Sequence, residues 1–124
     1  MDNISQPIMT PMPTVEELAS RQLAAYNASD LDAFVACYHE DVLMLSGDEE
    51  SLRGRDDFRE CYRSLFEDWD FGAEVPQRLS VAEHCVDYET WWRVDPTTGE
   101  RSEGAVLVRY STQDGLIGVV QFLS

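Results

Sequence analysis

Cations are scarce in this chain: nine Lys and Arg face 24 Asp and Glu, a formal net charge of −15 over 124 residues. A field of that sign repels a phosphate backbone or an anionic lipid surface, so neither nucleic acid nor membrane is an expected partner. Long apolar runs are missing as well. No stretch approaches the roughly 20 residues that span a bilayer, and the N-terminus lacks the basic start and apolar middle of a signal peptide. Cysteine is sparse and odd in number. Cys37, Cys61 and Cys85 have no C-x-x-C spacing and read as reduced, partly buried thiols of a cytoplasmic protein. Those cysteines, His39 and His84 show no ligand spacing, so no metal and no cofactor is expected.

What the chain has is pattern. Residues 14–38 read as two helices meeting at a tight corner. Thr14 and Glu17 form a capping box, and the helix they open carries Val15, Leu18, Ala19, Leu23, Ala25 and Tyr26 on one side. Gln22 interrupts that stripe. A primary amide there needs buried partners or a cavity whose occupant hydrogen-bonds it, and a pocket-lining role is favoured over a structural bridge. The second helix opens at Ser29-Asp30 and is expected to bury Leu31, Phe34, Val35 and Tyr38. One short strand over residues 42–46 and an acidic loop over 47–51 follow. A third helix from Arg55 then presents Phe58, Cys61, Tyr62, Leu65, Phe66 and Trp69, an aromatic face that must cover something large.

From Gly72 the apolar period changes from that of a helix to that of a strand. Strands are expected over residues 75–82, 85–94, 102–111 and 116–123, the first at an edge because it contains Pro76. A hairpin forms at Asp114-Gly115. The order implies an α+β fold, three N-terminal helices on a curved, mainly antiparallel sheet, as one domain over residues 14–124. Pro7, Pro11 and Pro13 mark residues 1–13 as a flexible leader.

Three segments carry a family resemblance: Tyr26-Asn27-Ala28-Ser29-Asp30-Leu31-Asp32-Ala33-Phe34, Gly54-Arg55 before the third helix, and Asp114-Gly115-Leu116-Ile117 in the last hairpin. In that order the chain resembles a nuclear transport factor 2-like domain, of the group that holds ketosteroid isomerases and SnoaL-like polyketide cyclases. The resemblance implies a cone-shaped half-barrel of cystatin-like type, with a pocket between the concave sheet face and the helices. It also implies a homodimer through the convex face, where Leu107, Val119 and Leu123 alternate. It implies no single activity. The ketosteroid isomerase positions for oxyanion tyrosine, general base and protonated acid fall on Gln22, near Ser46 and near Val106, so steroid isomerisation by that mechanism is not expected.

The remaining candidates sit on the strand over residues 85–94, where Asp87, Glu89, Trp91 and Arg93 share one face. By composition alone that face reads as solvated. The resemblance instead turns it into the cone, where Asp87 and Glu89 are a candidate catalytic pair, since enclosure and mutual repulsion raise the pKa of one of them. Gln22, Tyr26, Tyr62, Trp69, Trp91, Arg93 and Val106 are the candidate substrate-binding residues. Two function classes follow: an acid–base enzyme of isomerase, cyclase or dehydratase type acting on a small, largely apolar molecule, or a non-catalytic dimeric binding or accessory module.

Overall fold

The computed structural model describes residues 12–123, so the leader expected over residues 1–13 lies outside the described residues up to residue 11. Thr14 accepts a hydrogen bond from the Glu17 amide while the Glu17 carboxylate accepts one from the Thr14 amide, and this box starts α1 (Val15–Asn27). Asp30 caps α2 (Leu31–Val35) through the Ala33 amide. The chain continues through β1 (Tyr38–Ser46), β2 (Glu49–Arg53), α3 (Arg55–Asp68), β3 (Asp70–Val81), β4 (His84–Val94), β5 (Arg101–Gln113) and β6 (Leu116–Phe122). The strands form one sheet in the order β2-β1-β6-β5-β4-β3. The β1/β6 pair is parallel, and every other pair is antiparallel.

The fold departs from the sequence expectations at several places. Tyr38 does not end the second helix but begins β1, because α2 stops after five residues. Its ring still reaches the core and stacks near Phe34 and Phe58, at 5.2 and 4.2 Å between centroids. The acidic segment after Ser46 is a hairpin rather than a loop. Gly47 takes the left-handed conformation (φ 60) that lets Ser46 pair with Glu49, and an edge strand leaves the carboxylates of β2 free to face water. The third departure is that β3 begins at Asp70, five residues early. Asn27, at the end of α1, clamps it there: its side-chain amide donates to the Ala73 carbonyl (2.9 Å) and its oxygen accepts from the Ala73 amide (2.8 Å). Pro76 does lie on an edge strand, at an irregularity between Glu74 and Gln77. Finally, Cys61 is exposed while Cys37 and Cys85 are buried, and all three are free thiols.

The helices lie on one face of the sheet, and aromatic side chains fill the space between. Tyr26 meets Phe71 at 4.6 Å and Phe66 at 5.7 Å, and Phe34 meets Tyr62 at 5.0 Å. These offset and edge contacts add to what area burial contributes. The alternating face of β4 turns inward, with Cys85 and Asp87 both 0 % exposed. The solvated face expected from composition is therefore overturned at Asp87. A charge can be buried there because Arg78, across the β3/β4 pair, grips both its oxygens, Nε to Oδ1 at 2.6 Å and Nη2 to Oδ2 at 2.9 Å.

Candidate functional site

Between α1, α2, α3 and the concave sheet face lies a cavity of about 90 Å³. Helices α1 and α2 contribute Gln22, Leu23, Tyr26 and Phe34, and Tyr62 comes from α3. The sheet contributes Tyr38, Glu89, Arg93, Tyr110, Val120 and Phe122. Five of the expected site residues thus meet: Gln22, Tyr26, Tyr62, Glu89 and Arg93.

The others lie elsewhere. Asp87 does not line the cavity, since Arg78 holds its carboxylate and the Cys85 thiol donates to it at 3.4 Å. Val106 pairs with Glu89 across the β4/β5 ladder and packs on the core without reaching the cavity. Trp69 caps α3 and packs beside the core. Trp91 also packs against the core, its indole so close to Gly104 that a side chain there would collide with it. Trp91 and Trp92 border a wider, more open depression near the far end of β4 and β5, which lacks the enclosure and convergent polar groups of the inner cavity.

Gln22 both lines the cavity and bridges the fold. Its Nε2 donates to the Ala19 carbonyl (3.0 Å) and to the Tyr110 hydroxyl (3.1 Å), and its Oε1 accepts from the Tyr38 hydroxyl (3.0 Å). With Gln22 only 5 % exposed, both its N–H groups and its oxygen find protein partners. Sequence reasoning missed Tyr38 and Tyr110. Tyr110 shares the inner face of β5 with Val106, the position that the family resemblance singled out, whereas Tyr38 was hidden by its assignment to a helix.

The electrostatics of the cavity centre on Glu89. Burial pushes its carboxyl up to about 7, the Asp87 charge pushes the same way, and Arg93 opposes both. Burial likewise raises the phenols of Tyr26, Tyr38, Tyr62 and Tyr110, so all four are neutral hydrogen-bonding groups. The Arg93 guanidinium lies 5.3 Å from the Trp91 ring centre, and its Nε is buried with no hydrogen-bond partner. Among the described residues no cluster of His, Cys, Asp and Glu could hold a metal ion.

Helices packed on one face of a curved, mostly antiparallel sheet make the fold of the nuclear transport factor 2-like superfamily. Within it, the chain belongs to the SnoaL-like domain family, whose model matches residues 19–119. An uncharacterized cystatin fold protein from Novosphingobium aromaticivorans is similar to it at 23 % identity and a TM-score of 0.80, over 90 % of this chain and 99 % of that one. The Δ5-3-ketosteroid isomerase from a Mycobacterium species is 13 % identical with a TM-score of 0.80, over 89 % and 92 % of the two chains. An LEH-like epoxide hydrolase from M. tuberculosis is 16 % identical with a TM-score of 0.76, over 87 % and 80 %. At these identities the likeness is one of fold. No curated protein matches the chain.

Proposed function

We propose that the chain is an acid–base enzyme that moves a proton on a small carbonyl compound, with Glu89 as the proton carrier. The observation that carries this is the placement of Glu89 in the inner cavity beside Tyr62 and Arg93, where burial pushes its carboxyl up to about 7. A base with that affinity is half ionised at neutral pH, where it can both take and return a proton. Glu89 as carboxylate removes a proton from the carbon beside the carbonyl, the enolate oxygen accepts hydrogen bonds from Tyr62 and Arg93, and Glu89 returns the proton to the same or a neighbouring carbon. Asp87 touches nothing in the cavity; it is a positioning residue whose charge, two residues away on β4, keeps Glu89 hard to ionise. The resemblance to isomerases and hydrolases in fold supports the chemistry class without naming the substrate.

The test needs no known substrate. Full-length protein in D2O with acetone or butanone should speed the loss of the protons beside the carbonyl, read by proton NMR, with a midpoint near pH 7, and Glu89→Gln should abolish the gain. Exchange equal to buffer, or unchanged in Glu89→Gln, would refute it. A second reading is favoured by the narrow cavity and by the protein partners of Gln22: a non-catalytic module in which side chains and a small ligand fill the space. Ligand binding without any Glu89-dependent exchange would select it.

A homodimer is part of the proposal. Leu79, Val81, Tyr88, Leu107 and Leu123 are exposed, 76, 78, 39, 45 and 39 % respectively, on the sheet face opposite the helices. A second copy would cover that face. No described helix is long and apolar enough to cross a membrane. The free thiols support a reducing compartment such as the cytoplasm.

A further inference from the structure

The hydrogen bonds that join Tyr38, Gln22 and Tyr110 have a fixed sense. The Ala19 carbonyl lies 3.0 Å from one end of the Gln22 amide and can only accept, so that end is the nitrogen and not the oxygen. The second N–H of the same nitrogen points at the Tyr110 oxygen, 3.1 Å away, which therefore accepts. At the other end the amide oxygen accepts the Tyr38 proton at 3.0 Å. Donation thus runs one way, from Tyr38 through Gln22 to Tyr110, and the Tyr110 proton is left to be given elsewhere. Among the described residues no group accepts it. Glu89 is near enough for its charge to bear on the phenol, yet it takes no hydrogen bond from it. Tyr110 is 2 % exposed and lines the inner cavity, so the space its O–H can serve is that cavity.

We propose that Tyr110 is a catalytic residue of this cavity, its hydroxyl donating to the carbonyl oxygen of a small open-chain ketone or aldehyde, with Gln22 as the positioning residue that holds it in that sense. The assignment rests on the acid–base reading of the same cavity and adds to it a donor and a substrate class. When the Glu89 carboxylate takes the proton from the carbon beside the carbonyl, the C–H electron pair forms the new C=C bond and the C=O π pair moves onto oxygen. Tyr110 meets that oxygen with a hydrogen bond that strengthens as its charge grows. The phenol keeps its own proton, because burial pushes it well above its ordinary range. Glu89 becomes neutral in the same step, so negative charge moves between oxygens within the cavity and none is added. Gln22 contributes by donating into the Tyr110 oxygen, which polarises the hydroxyl, and Tyr38 does the same one step further back.

Hydrogen bonding and size together define the substrate class. A group that only donates, such as an ammonium, would meet the Tyr110 proton head-on. An alcohol oxygen could accept that proton but offers Glu89 no acidic C–H, whereas a carbonyl supplies both the acceptor and the acidic carbon beside it. Such an oxygen replaces water as the acceptor of the Tyr110 proton, so the hydroxyl is satisfied before and after binding. A cavity of about 90 Å³ is smaller than the roughly 150 Å³ that accommodates benzene, so the reacting end is a short open chain and not a ring.

The experiment follows butanone in D2O on the full chain as wild type, Tyr110→Phe, Gln22→Met and the double variant. Tyr110→Phe should slow the Glu89-dependent exchange about a hundredfold or to the buffer rate, the loss typical of one oxyanion donor. Its midpoint should stay near pH 7, because Tyr110 makes no hydrogen bond to Glu89. Gln22→Met keeps the hydroxyl and removes its anchor, so it tests the same donor in a second protein; exchange should fall severalfold with the midpoint retained. The double variant should be no slower than Tyr110→Phe, since Gln22 acts through Tyr110. A reading independent of turnover is the carbonyl carbon of 13C-labelled butanone, extrapolated to full binding. A donated hydrogen bond deshields it, so it should resonate further upfield on Tyr110→Phe than on the wild type. Exchange in Tyr110→Phe within about twofold of the wild type, a moved midpoint with an unchanged plateau, or the same carbonyl shift on both proteins would each overturn the assignment. With Glu89-dependent exchange intact, any of these removes Tyr110 alone, and a double variant slower than Tyr110→Phe removes the positioning role of Gln22. If Glu89→Gln exchanges as fast as the wild type, the acid–base reading falls instead, and the carbonyl shift by itself decides whether Tyr110 donates to a carbonyl. A wild type that does not bind butanone would overturn both.

Discussion

Replacing Gln22 with leucine tests what the buried amide does. Leucine matches glutamine closely in size and is at home on the apolar face of α1, so the helix itself loses nothing. The loss is at two phenols. Tyr38 and Tyr110 are 1 % and 2 % exposed, and Gln22 is the hydrogen-bond partner of both hydroxyls. Each buried hydroxyl left unpaired costs about 1–3 kcal/mol, and burying leucine in place of an amide returns about 1 kcal/mol. Water entering the adjoining cavity can satisfy part of the deficit, which leaves a net loss of about 2–4 kcal/mol. For a domain of this length that corresponds to a melting temperature lower by roughly 6–15 °C, measurable by calorimetry or circular dichroism. Adding Tyr38→Phe should recover part of the loss, because removing both partners of a buried hydrogen bond is nearly neutral. Gln22→Leu melting within about 2 °C of the wild type, or above it, would show that the bridge contributes nothing and that the amide serves the cavity alone.

Glu89 should make stability fall with rising pH. Its folded pKa of about 7 lies above the ordinary carboxylate value, so the native state holds more protons between about 4.5 and 7, and stability declines across that window before levelling off above it. Glu89→Gln should flatten the decline and melt higher than the wild type at pH 8; a parallel pH profile for the two proteins would refute this. Arg78→Met should cost about 3–5 kcal/mol in chemical denaturation by stranding buried Asp87, and adding Asp87→Leu should restore most of it. If the double variant is no more stable than the single one, the pair is not what holds β3 to β4 there. Asn27→Ala should cost about 1–3 kcal/mol and speed hydrogen exchange at the Ala73 amide, and unchanged protection would show that the clamp is dispensable. Light scattering at micromolar protein should give twice the 14.1 kDa chain mass, and Leu107→Glu on the exposed sheet face should halve it; a monomeric wild type would end the dimer proposal.

Local pattern carried much of this fold. The capping box at Thr14 and Glu17, the stripe that buries Leu18 and Phe58, and the period change that marks the late strands are short-range signals, each set by residues within a turn or a pleat of one another. The motifs that matched the family were local too. Burial of Gln22 followed from helical spacing alone. Its partners did not, because Tyr38 and Tyr110 lie 16 and 88 residues away along the chain. The early start of β3 depended on Asn27 reaching Ala73 across 46 positions, which the change of period at Gly72 does not reveal. Most telling are Asp87 and Glu89, which are alike in type and share a face of one strand. Only the packing of β3 beside β4 brings Arg78 onto the first and leaves the second facing an enclosed space with its proton affinity raised. Residue order decided that both would point the same way; long-range neighbours, which alone set desolvation and ion pairing, decided that they would differ in chemistry.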